Sequence, residues 1–350
     1  MDDDLYIFRN AQVTNHSVKE LLQPNKYTYV FRPVTFATLA ANFELGGENP
    51  LGYHVFNILL HGGVTILLFW VLSALLGREP RGDVIAFVAA VLFAVHPIHT
   101  EAVSSIIGRS ELLAAGFLLG AWLLHLYDRP FLATVSFVLA LFSKESAVAF
   151  LPLALAGDYA CGKLKPRLRY ISIAVVTLLY ILVLWKVHGG RFGPAEVSFL
   201  DNPLSSLPPV WRILNALRIA WKYVGVQLFP AKLACDYSYN AIPVYKDLRH
   251  TLPAFAATLG VLAAWGWAGW KRKSPFVLAG AIYFAGFTVT ANIVTVTGTI
   301  MGERLAYLPS AGCCLLLALL WRCLFQGQQE LLHGGHLAFA SNQFALIMTT

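Results

Sequence analysis

Residues 56–76 read FNILLHGGVTILLFWVLSALL, an apolar run that contains no Asp, Glu, Lys or Arg. A helix needs about 20 apolar residues to cross the hydrocarbon core of a bilayer, so this run is long enough to span a membrane. The rest of the chain agrees with it, because 57% of its 350 residues are hydrophobic and only 13% are charged. Soluble globular chains carry about 25% charged residues, and disulfide-rich modules need more than five cysteines in such a length. The composition therefore predicts an all-α polytopic integral membrane protein and excludes a soluble or disordered chain.

Six further apolar runs are candidate membrane-spanning helices, at 84–98, 112–127, 170–187, 253–270, 276–294 and 305–320. Two shorter runs, 131–142 and 147–156, flank Lys144 and Glu145. At about 1.5 Å per residue, neither short run crosses a core of about 30 Å. This stretch is either a helical hairpin with the two charged residues at its tip or one long span with a charge pair buried at its middle.

The distribution of cations predicts the orientation, because cytoplasmic loops are enriched in Lys and Arg. If the first span runs inward, eleven cations lie inside: Arg78, Arg81, Arg129, Lys163, Lys165, Arg167, Arg169, Lys271, Arg272, Lys273 and Arg322. The short outer loops then hold only Arg109, Lys144 and Arg304. This assignment requires the hairpin, since a single span over 131–157 would move the cations of 163–169 outside. We therefore favour the hairpin.

The same orientation divides the chain into three parts. Residues 1–50 form an outer loop, 51–325 a transmembrane bundle, and 326–350 a divergent tail. The bundle includes an outer loop over 188–251, in which apolar residues of 211–229 alternate with three cations. Such a pattern is typical of an amphipathic helix that lies at the membrane surface rather than across it.

Most of the polar residues near the spans lie on the predicted outer face, and ionisable residues at membrane depth are costly unless they serve a function. The alternative is structural: Lys144 could pair with Glu145, and Glu303 with Arg304. A metal site is a second alternative, carried by His96, His99 and Glu101. Pro97 interrupts the helix between these ligands, and the spacing differs from the HExxH of zinc hydrolases. The inner-loop cations account for the net charge of +7. The charge is therefore not a sign of nucleic-acid binding, and we predict no nucleic-acid partner.

Carboxylates in an outer loop beside cations at the membrane edge suit one reaction in particular. A carboxylate can take the proton of an incoming hydroxyl group, while Arg and Lys stabilise a departing phosphate. A phosphate held at the interface, with an apolar chain between helices, corresponds to a polyprenyl-phosphate sugar. The pattern thus predicts a membrane glycosyltransferase.

Five segments together resemble a known family, and the resemblance extends over nearly the whole of residues 2–325: YVFRPV (29–34), GYHVFNILLH (52–61), FAVHPIHTEAVSSIIGRSELL (93–113), Lys144-Glu145, and GERLAYLPSAG (302–312). Their order and spacing resemble the transmembrane and tetratricopeptide-repeat O-mannosyltransferases, which are GT-C glycosyltransferases. The resemblance implies a GT-C multi-helix bundle with its active site on the lumenal face. It also implies a dolichyl- or polyprenyl-phosphate mannose donor, Ser or Thr hydroxyls of secretory-route proteins as acceptors, and inversion at the sugar.

The family carries an acidic pair in a DDxxxIxxN-like pattern in its first lumenal loop, and the pair maps here onto Asp2 and Asp3. We expect Asp3 or Asp2 to be the general base. We expect the donor phosphate and sugar to be bound by residues from the outer segments: Arg109, Lys144, Arg304, His96, His99, Glu101, Glu111, Glu145, Glu303 and Arg32. The expected co-substrate is the lipid-linked sugar. A monophosphate leaving group does not require a metal, so a divalent metal is the less favoured alternative.

Two departures from the family pattern bear on the expected activity. The family has a span before its acidic pair and tetratricopeptide repeats after its bundle, whereas this sequence starts at the pair and residues 326–350 show no repeat. We therefore expect a fragment or a homologue that lacks both. The alternatives left open are a transporter or flippase of a lipid-linked saccharide and a non-catalytic membrane fragment. The expected membrane is the endoplasmic reticulum in a eukaryote and the inner membrane in a bacterium.

Overall fold

The computed structural model describes residues 7, 10–15, 18–25, 30–77, 81–160, 162, 164–190, 197–271 and 275–324. Predictions that concern Asp2, Asp3, Arg78, Lys163, Arg272, Lys273 and the tail over 326–350 lie outside these residues. The helices are α1 (Ala11–Thr14), α2 (Val18–Leu21), α3 (Pro33–Gly46), α4 (Pro50–Leu76), α5 (Gly82–Val95), α6 (Thr100–Ser104), α7 (Arg109–Leu126), α8 (Pro130–Ser143), α9 (Phe150–Ala160), α10 (Arg167–Val187), α11 (Pro209–Leu228), α12 (Leu248–Lys271), α13 (Pro275–Phe287) and α14 (Glu303–Leu324).

The described residues form helices, 3₁₀ turns and loops without a β-strand, which confirms the predicted all-α membrane fold. Four of the described helices are long and apolar enough to cross a bilayer: α4, α10, α12 and α14. A fifth candidate consists of α5 and the segment Pro97–Ser104, which meet at a bend of 52°. The bend follows from Pro97, which lacks an N–H group and holds His96 in an extended conformation with ψ 123°.

Two predicted spans end earlier than their apolar runs. The run over 84–98 is helical only to Val95, because Pro97 interrupts it. The run over 276–294 is helical only to Phe287. Beyond Phe287 the chain turns at Asn292, which has a left-handed φ of 58° and accepts a hydrogen bond from Asn202 at 2.9 Å. Such polar side chains can form hydrogen bonds in a non-helical conformation and thereby end a helix. Hydrophobicity alone therefore overestimated the length of α13.

The stretch from α8 to α9 is a hairpin, as predicted. His125, at the last turn of α7, lies 2.8 Å from Asp158 near the end of α9. Asp128, in the turn between α7 and α8, lies 2.8 Å from Lys165, which follows α9. The start of α8 and the end of α9 are therefore at the same end of the bundle, which we call the inner end. The turn Glu145–Ala149 is at the opposite, outer end.

Helices α4, α5, α7, α9, α13 and α14 share the largest apolar core, which is rich in Leu and Ala. Glycines allow two of these helices to approach their neighbours closely. Gly157 of α9 packs on the ring of Trp122, and Gly312 of α14 packs on the backbone of α13 at Ala279 and Tyr283. Small residues are common where membrane helices touch, because lipid tails supply little hydrophobic driving force.

The predicted amphipathic helix over 211–229 corresponds to α11. Its buried residues form one face: Asn215, Ile219, Tyr223 and Gln227 are four apart, and Ala216 lies beside Asn215. That face packs on a second core, which includes Ile300 and Met301 before α14. Its location at the membrane surface remains a prediction.

Candidate functional site at the outer end

The outer end collects four of the polar segments that the sequence singled out. The segment before α3 and the first turn of α14 reach this end, as do the bend between α5 and α7 and the tip of the α8–α9 hairpin. Long-range polar contacts join them, in sequence separations from 33 to 203 residues. The site is therefore a product of the tertiary fold.

Four charges meet at the hairpin tip, and we call them the four-charge cluster: Arg32, Glu111, Lys144 and Glu145. Arg32 binds Glu145 with two hydrogen bonds, from Nε at 3.1 Å and Nη2 at 2.6 Å. The buried ammonium of Lys144 pairs with the carboxylate of Glu111 in the first turn of α7. The cluster is neutral overall, which compensates the cost of burying charge. The structural alternative assumed a pair between Lys144 and its neighbour Glu145, but each of these two residues pairs with a different partner.

Arg109, a predicted phosphate ligand, is buried between three elements. Its guanidinium donates to the Asn57 side chain at 3.0 Å, to the Thr38 carbonyl at 3.0 Å and to the Tyr53 carbonyl at 3.3 Å. It also lies 4.5 Å from the centre of the Phe56 ring. These contacts tie α3 and α4 to the start of α7, so the geometry favours a structural role for Arg109.

Glu101 and Arg304 form the second charged pair of the outer end. Arg304 Nη1 lies 3.3 Å from Glu101 Oε1, and the Arg304 backbone N–H donates to Oε2 at 2.8 Å. The Arg304 side chain is 31% exposed, against 11% for Arg32 and 5% for Lys144. Among these predicted phosphate-binding cations, Arg304 is therefore the most accessible.

Glu303 faces away from Arg304 and accepts hydrogen bonds from the segment after α11. The Ala234 N–H donates to it at 2.7 Å and the Tyr237 hydroxyl at 2.9 Å. Desolvation, followed by the hydrogen bond to Glu303, raises the pKa of Tyr237, so Tyr237 remains a neutral donor. Glu303 and Arg304 therefore do not pair with each other: Glu303 contacts Ala234 and Tyr237, and Arg304 contacts Glu101.

Three histidine side chains lie near each other but face different partners. His61 contacts the Tyr307 hydroxyl at 2.7 Å, His99 the Ser310 hydroxyl at 2.7 Å, and His96 the Gln227 carbonyl at 2.8 Å. No group of three or more His, Cys, Asp or Glu residues in the described part of the chain is arranged to hold a metal. The polar atoms of His96, His99 and Glu101 diverge, which does not support the metal alternative.

The described part of the N-terminal segment is anchored to this end. Ile7 is fully buried against Ile106 and Ile107, just before α7. Asn10 is buried and caps α1 by accepting a hydrogen bond from the Gln12 N–H at 3.0 Å. These two residues are the Ile and Asn of the acidic motif, whereas Asp2 and Asp3 lie outside the described residues.

Sequence reasoning missed four residues of the outer end that the structure brings into it: Asn57, Tyr237, Tyr307 and Ser310. Asn57, Tyr307 and Ser310 lie inside the quoted motifs. The motifs therefore identified the segments that reach the outer end, but not these three side chains. Tyr237 lies in the loop over 188–251, where no motif indicated it.

An open surface cavity of about 500 Å³ lies at the outer end, beside the segment that donates hydrogen bonds to Glu303. We call it the α11 cavity; its walls include Lys222, Val226, Phe229, Lys232, Leu233 and Tyr237. It combines two cations with an apolar lining, and its wall at Ala234 and Tyr237 carries the hydrogen bonds to Glu303.

These features define the class of protein: an all-α integral membrane protein with a polar site at one end of its bundle. The chain is 33% identical to "Protein O-mannosyl-transferase F38B6.6" of Caenorhabditis elegans, over 83% of this chain and 42% of the relative. It is 29% identical to "Protein O-mannosyl-transferase TMTC3" of Mus musculus, over 83% of this chain and 35% of that relative. It is also 29% identical to "Protein O-mannosyl-transferase TMTC4" of Mus musculus, over 82% of this chain and 46% of that relative.

Over 82–83% of the chain, these homologues carry names of the family that the sequence resembles, the transmembrane and tetratricopeptide-repeat O-mannosyltransferases. The chain spans less than half the length of these curated relatives. No protein-family model and no solved structure matches it.

Proposed function

We propose that this chain is the membrane part of a GT-C mannosyltransferase. It transfers mannose from a dolichyl- or polyprenyl-phosphate to Ser or Thr hydroxyls of proteins in the secretory route. The observation that carries the proposal is the concentration of Arg32, Glu101, Glu111, Glu145 and Arg304 at one end of an otherwise apolar bundle. Relatives named as protein O-mannosyl-transferases support the same reaction.

The proposed chemical step is an inverting displacement. Asp2 or Asp3 takes the proton of the acceptor hydroxyl as its oxygen forms a bond to the anomeric carbon. The bond from that carbon to the phosphate oxygen breaks, and its electron pair leaves with the polyprenyl monophosphate. Ile7, which follows the acidic pair in the same motif, is buried at the outer end.

Arg304 is the predicted cation that best suits the departing phosphate. Its partner Glu101 neutralises it at rest and holds its backbone and side chain, so the guanidinium is oriented before the donor binds. A positioned cation of this kind stabilises the negative charge that develops on the leaving group. His96 and His99 remain proposed assisting groups, and no metal is required. The proposed membrane is the endoplasmic reticulum, with the outer end facing the lumen.

The experiment reconstitutes the chain in vesicles with radiolabelled mannosyl-phosphoryl-polyprenol and an acceptor peptide. Mannosylated peptide is expected with the unchanged chain, and its loss with Asp2→Asn plus Asp3→Asn. Asp4→Asn is the matched control, because it removes an adjacent carboxylate outside the predicted pair and should retain transfer. Transport of the lipid-linked sugar across the vesicle without peptide labelling would instead favour a flippase. Absence of both activities would favour a non-catalytic fragment.

A further inference from the structure

The N-terminal segment contains a motif that neither the fold nor the proposed reaction uses. Residues 15–17 read Asn-His-Ser, which matches the Asn-x-Ser/Thr acceptor of N-glycosylation with a residue other than Pro in the middle. No other Asn of the sequence is followed by Ser or Thr two positions later. A motif this short also arises by chance, so the position of its Asn in the fold decides whether it can be modified.

The structure presents the side chain of Asn15 at the surface. The backbone N–H of Asn15 ends α1 by donating to the Ala11 carbonyl at 3.1 Å, whereas its side chain is exposed. Within the described residues, the side-chain amide forms no hydrogen bond. Asn15 follows the buried Val13 by two residues, about 200° further around the helix, so it lies on the face opposite the core. A bulky, hydrophilic glycan requires such a surface position.

Contacts on both sides of the motif hold this position in place. The Gln12 side chain donates to the carbonyls of Glu20 at 3.1 Å and Gln23 at 2.7 Å, which joins α1 to α2 across residues 15–17. Val13 is fully buried in the apolar cluster that includes α3 and the residues just before α7. The exposure of the Asn is therefore a property of the packed segment.

The same cluster places the motif at one end of the bundle. It includes Ile106 and Ile107, which precede α7, and Glu111 in the first turn of α7 pairs with Lys144 at the hairpin tip. Asn15 therefore lies at the outer end. The distribution of Lys and Arg predicts that this end faces the lumen, the side on which secretory-route proteins receive N-linked glycans.

We propose that Asn15 is an N-glycosylation site. In the transfer step, Nδ2 of Asn15 forms a bond to the anomeric carbon of a lipid-diphosphate oligosaccharide and loses one proton. The bond from that carbon to the phosphate oxygen breaks, and its electron pair leaves with the lipid diphosphate. The donor and the transferring enzyme are those of the surrounding membrane, so the step does not use the candidate site of this chain.

The modification goes beyond the proposed function and rests on the predicted orientation alone. A glycan on Asn15 would keep the N-terminal segment on the lumenal side, because a large polar group does not cross the hydrocarbon core. The glycan therefore reports the orientation independently of any mannose transfer.

The test is translation of the full chain in the presence of microsomes, followed by electrophoresis with and without peptide N-glycosidase. The unchanged chain should migrate one step more slowly before digestion, and digestion should convert Asn15 to Asp, which mass spectrometry detects. Asn15→Gln and Ser17→Ala should each abolish the step, and Ser17→Thr should retain it, because Thr also completes the acceptor. A step that persists in Asn15→Gln, or that is absent from the unchanged chain, would overturn the proposal.

Asp236→Asn is the matched control for orientation, because it completes Asn-x-Ser with Ser238 in the loop after α11, where Asp236 is exposed. This variant should carry two glycans, whereas Asp236→Gln, which completes no acceptor, should carry one. A glycan gained through Asp236→Asn without one at Asn15 would overturn the proposal and leave the orientation intact. The absence of both glycans would overturn the orientation as well. Mannose transfer to an acceptor peptide is measured separately, so the proposed function can fail without affecting this result.

Discussion

Arg109 illustrates how a motif residue can serve the fold rather than the chemistry. Its guanidinium satisfies three acceptors from α3 and α4, and Lys cannot reach all three from one ammonium. Arg109→Lys should therefore lower the free energy of unfolding by about 3 kcal/mol, because buried acceptors lose their donors. Thermal unfolding in a mild detergent measures the change. Unaltered stability together with a raised donor KM would instead support a phosphate-binding role for Arg109.

Arg304 should behave in the opposite way. Its pair with Glu101 is partly exposed, and such pairs contribute about 0–1 kcal/mol to stability. Arg304→Gln should leave the thermal midpoint nearly unchanged and raise the KM for the lipid-linked donor by about tenfold, through loss of one charge-assisted contact. Arg249→Gln, which removes an exposed cation at the start of α12, is the control. If both variants had the same donor KM, Arg304 would have only a structural role.

At the scale of the helix pair, the contact between α13 and α14 depends on a missing side chain. A Cβ on Gly312 would lie 2.5 Å from the Ala279 carbonyl oxygen and 2.6 Å from the Tyr283 nitrogen. Gly312→Ala should push the helices apart and lower the free energy of unfolding by about 1–3 kcal/mol, as overpacking does. Detergent unfolding of the purified protein measures this loss.

Gly260 of α12 provides the matched control, because a Cβ on this residue would meet no atom within 4 Å. Gly260→Ala should leave stability equal or raise it by up to about 1 kcal/mol, since Ala favours the helix. If the two substitutions had equal effects, the close approach of α13 and α14 would not limit stability.

For the whole molecule, the charge distribution predicts which end faces the lumen. Cys235 is exposed at the outer end, and Arg129 is exposed in the turn between α7 and α8 at the inner end. In sealed microsomes, with Cys161 and Cys323 replaced by Ser, a membrane-impermeant maleimide should label Arg129→Cys and leave Cys235 unlabelled until detergent opens the vesicle. The reason is that inner-end cations remain on the cytoplasmic side. The reverse labelling would invert the orientation and with it the side of the proposed reaction.

The sequence by itself determined the class of fold and the hairpin, and it predicts the direction of the helices across the membrane. Hydrophobic length and the placement of Lys and Arg are properties of short segments, so they can be read without tertiary contacts. It also marked the segments of the site, from Arg32 to Arg304. Its errors at 84–98 and 276–294 arose where Pro97 and the Asn202–Asn292 contact end a helix that hydrophobicity alone would continue.

Only the tertiary structure decided which charges neutralise each other. Lys144 pairs with Glu111 and Glu145 with Arg32, because the hairpin tip meets the starts of α3 and α7 rather than folding on itself. The α11 cavity likewise exists only where the loop after α11 folds onto Glu303. Ion pairs and cavities depend on distances between segments remote in the chain, and these distances are set by how the apolar helices pack.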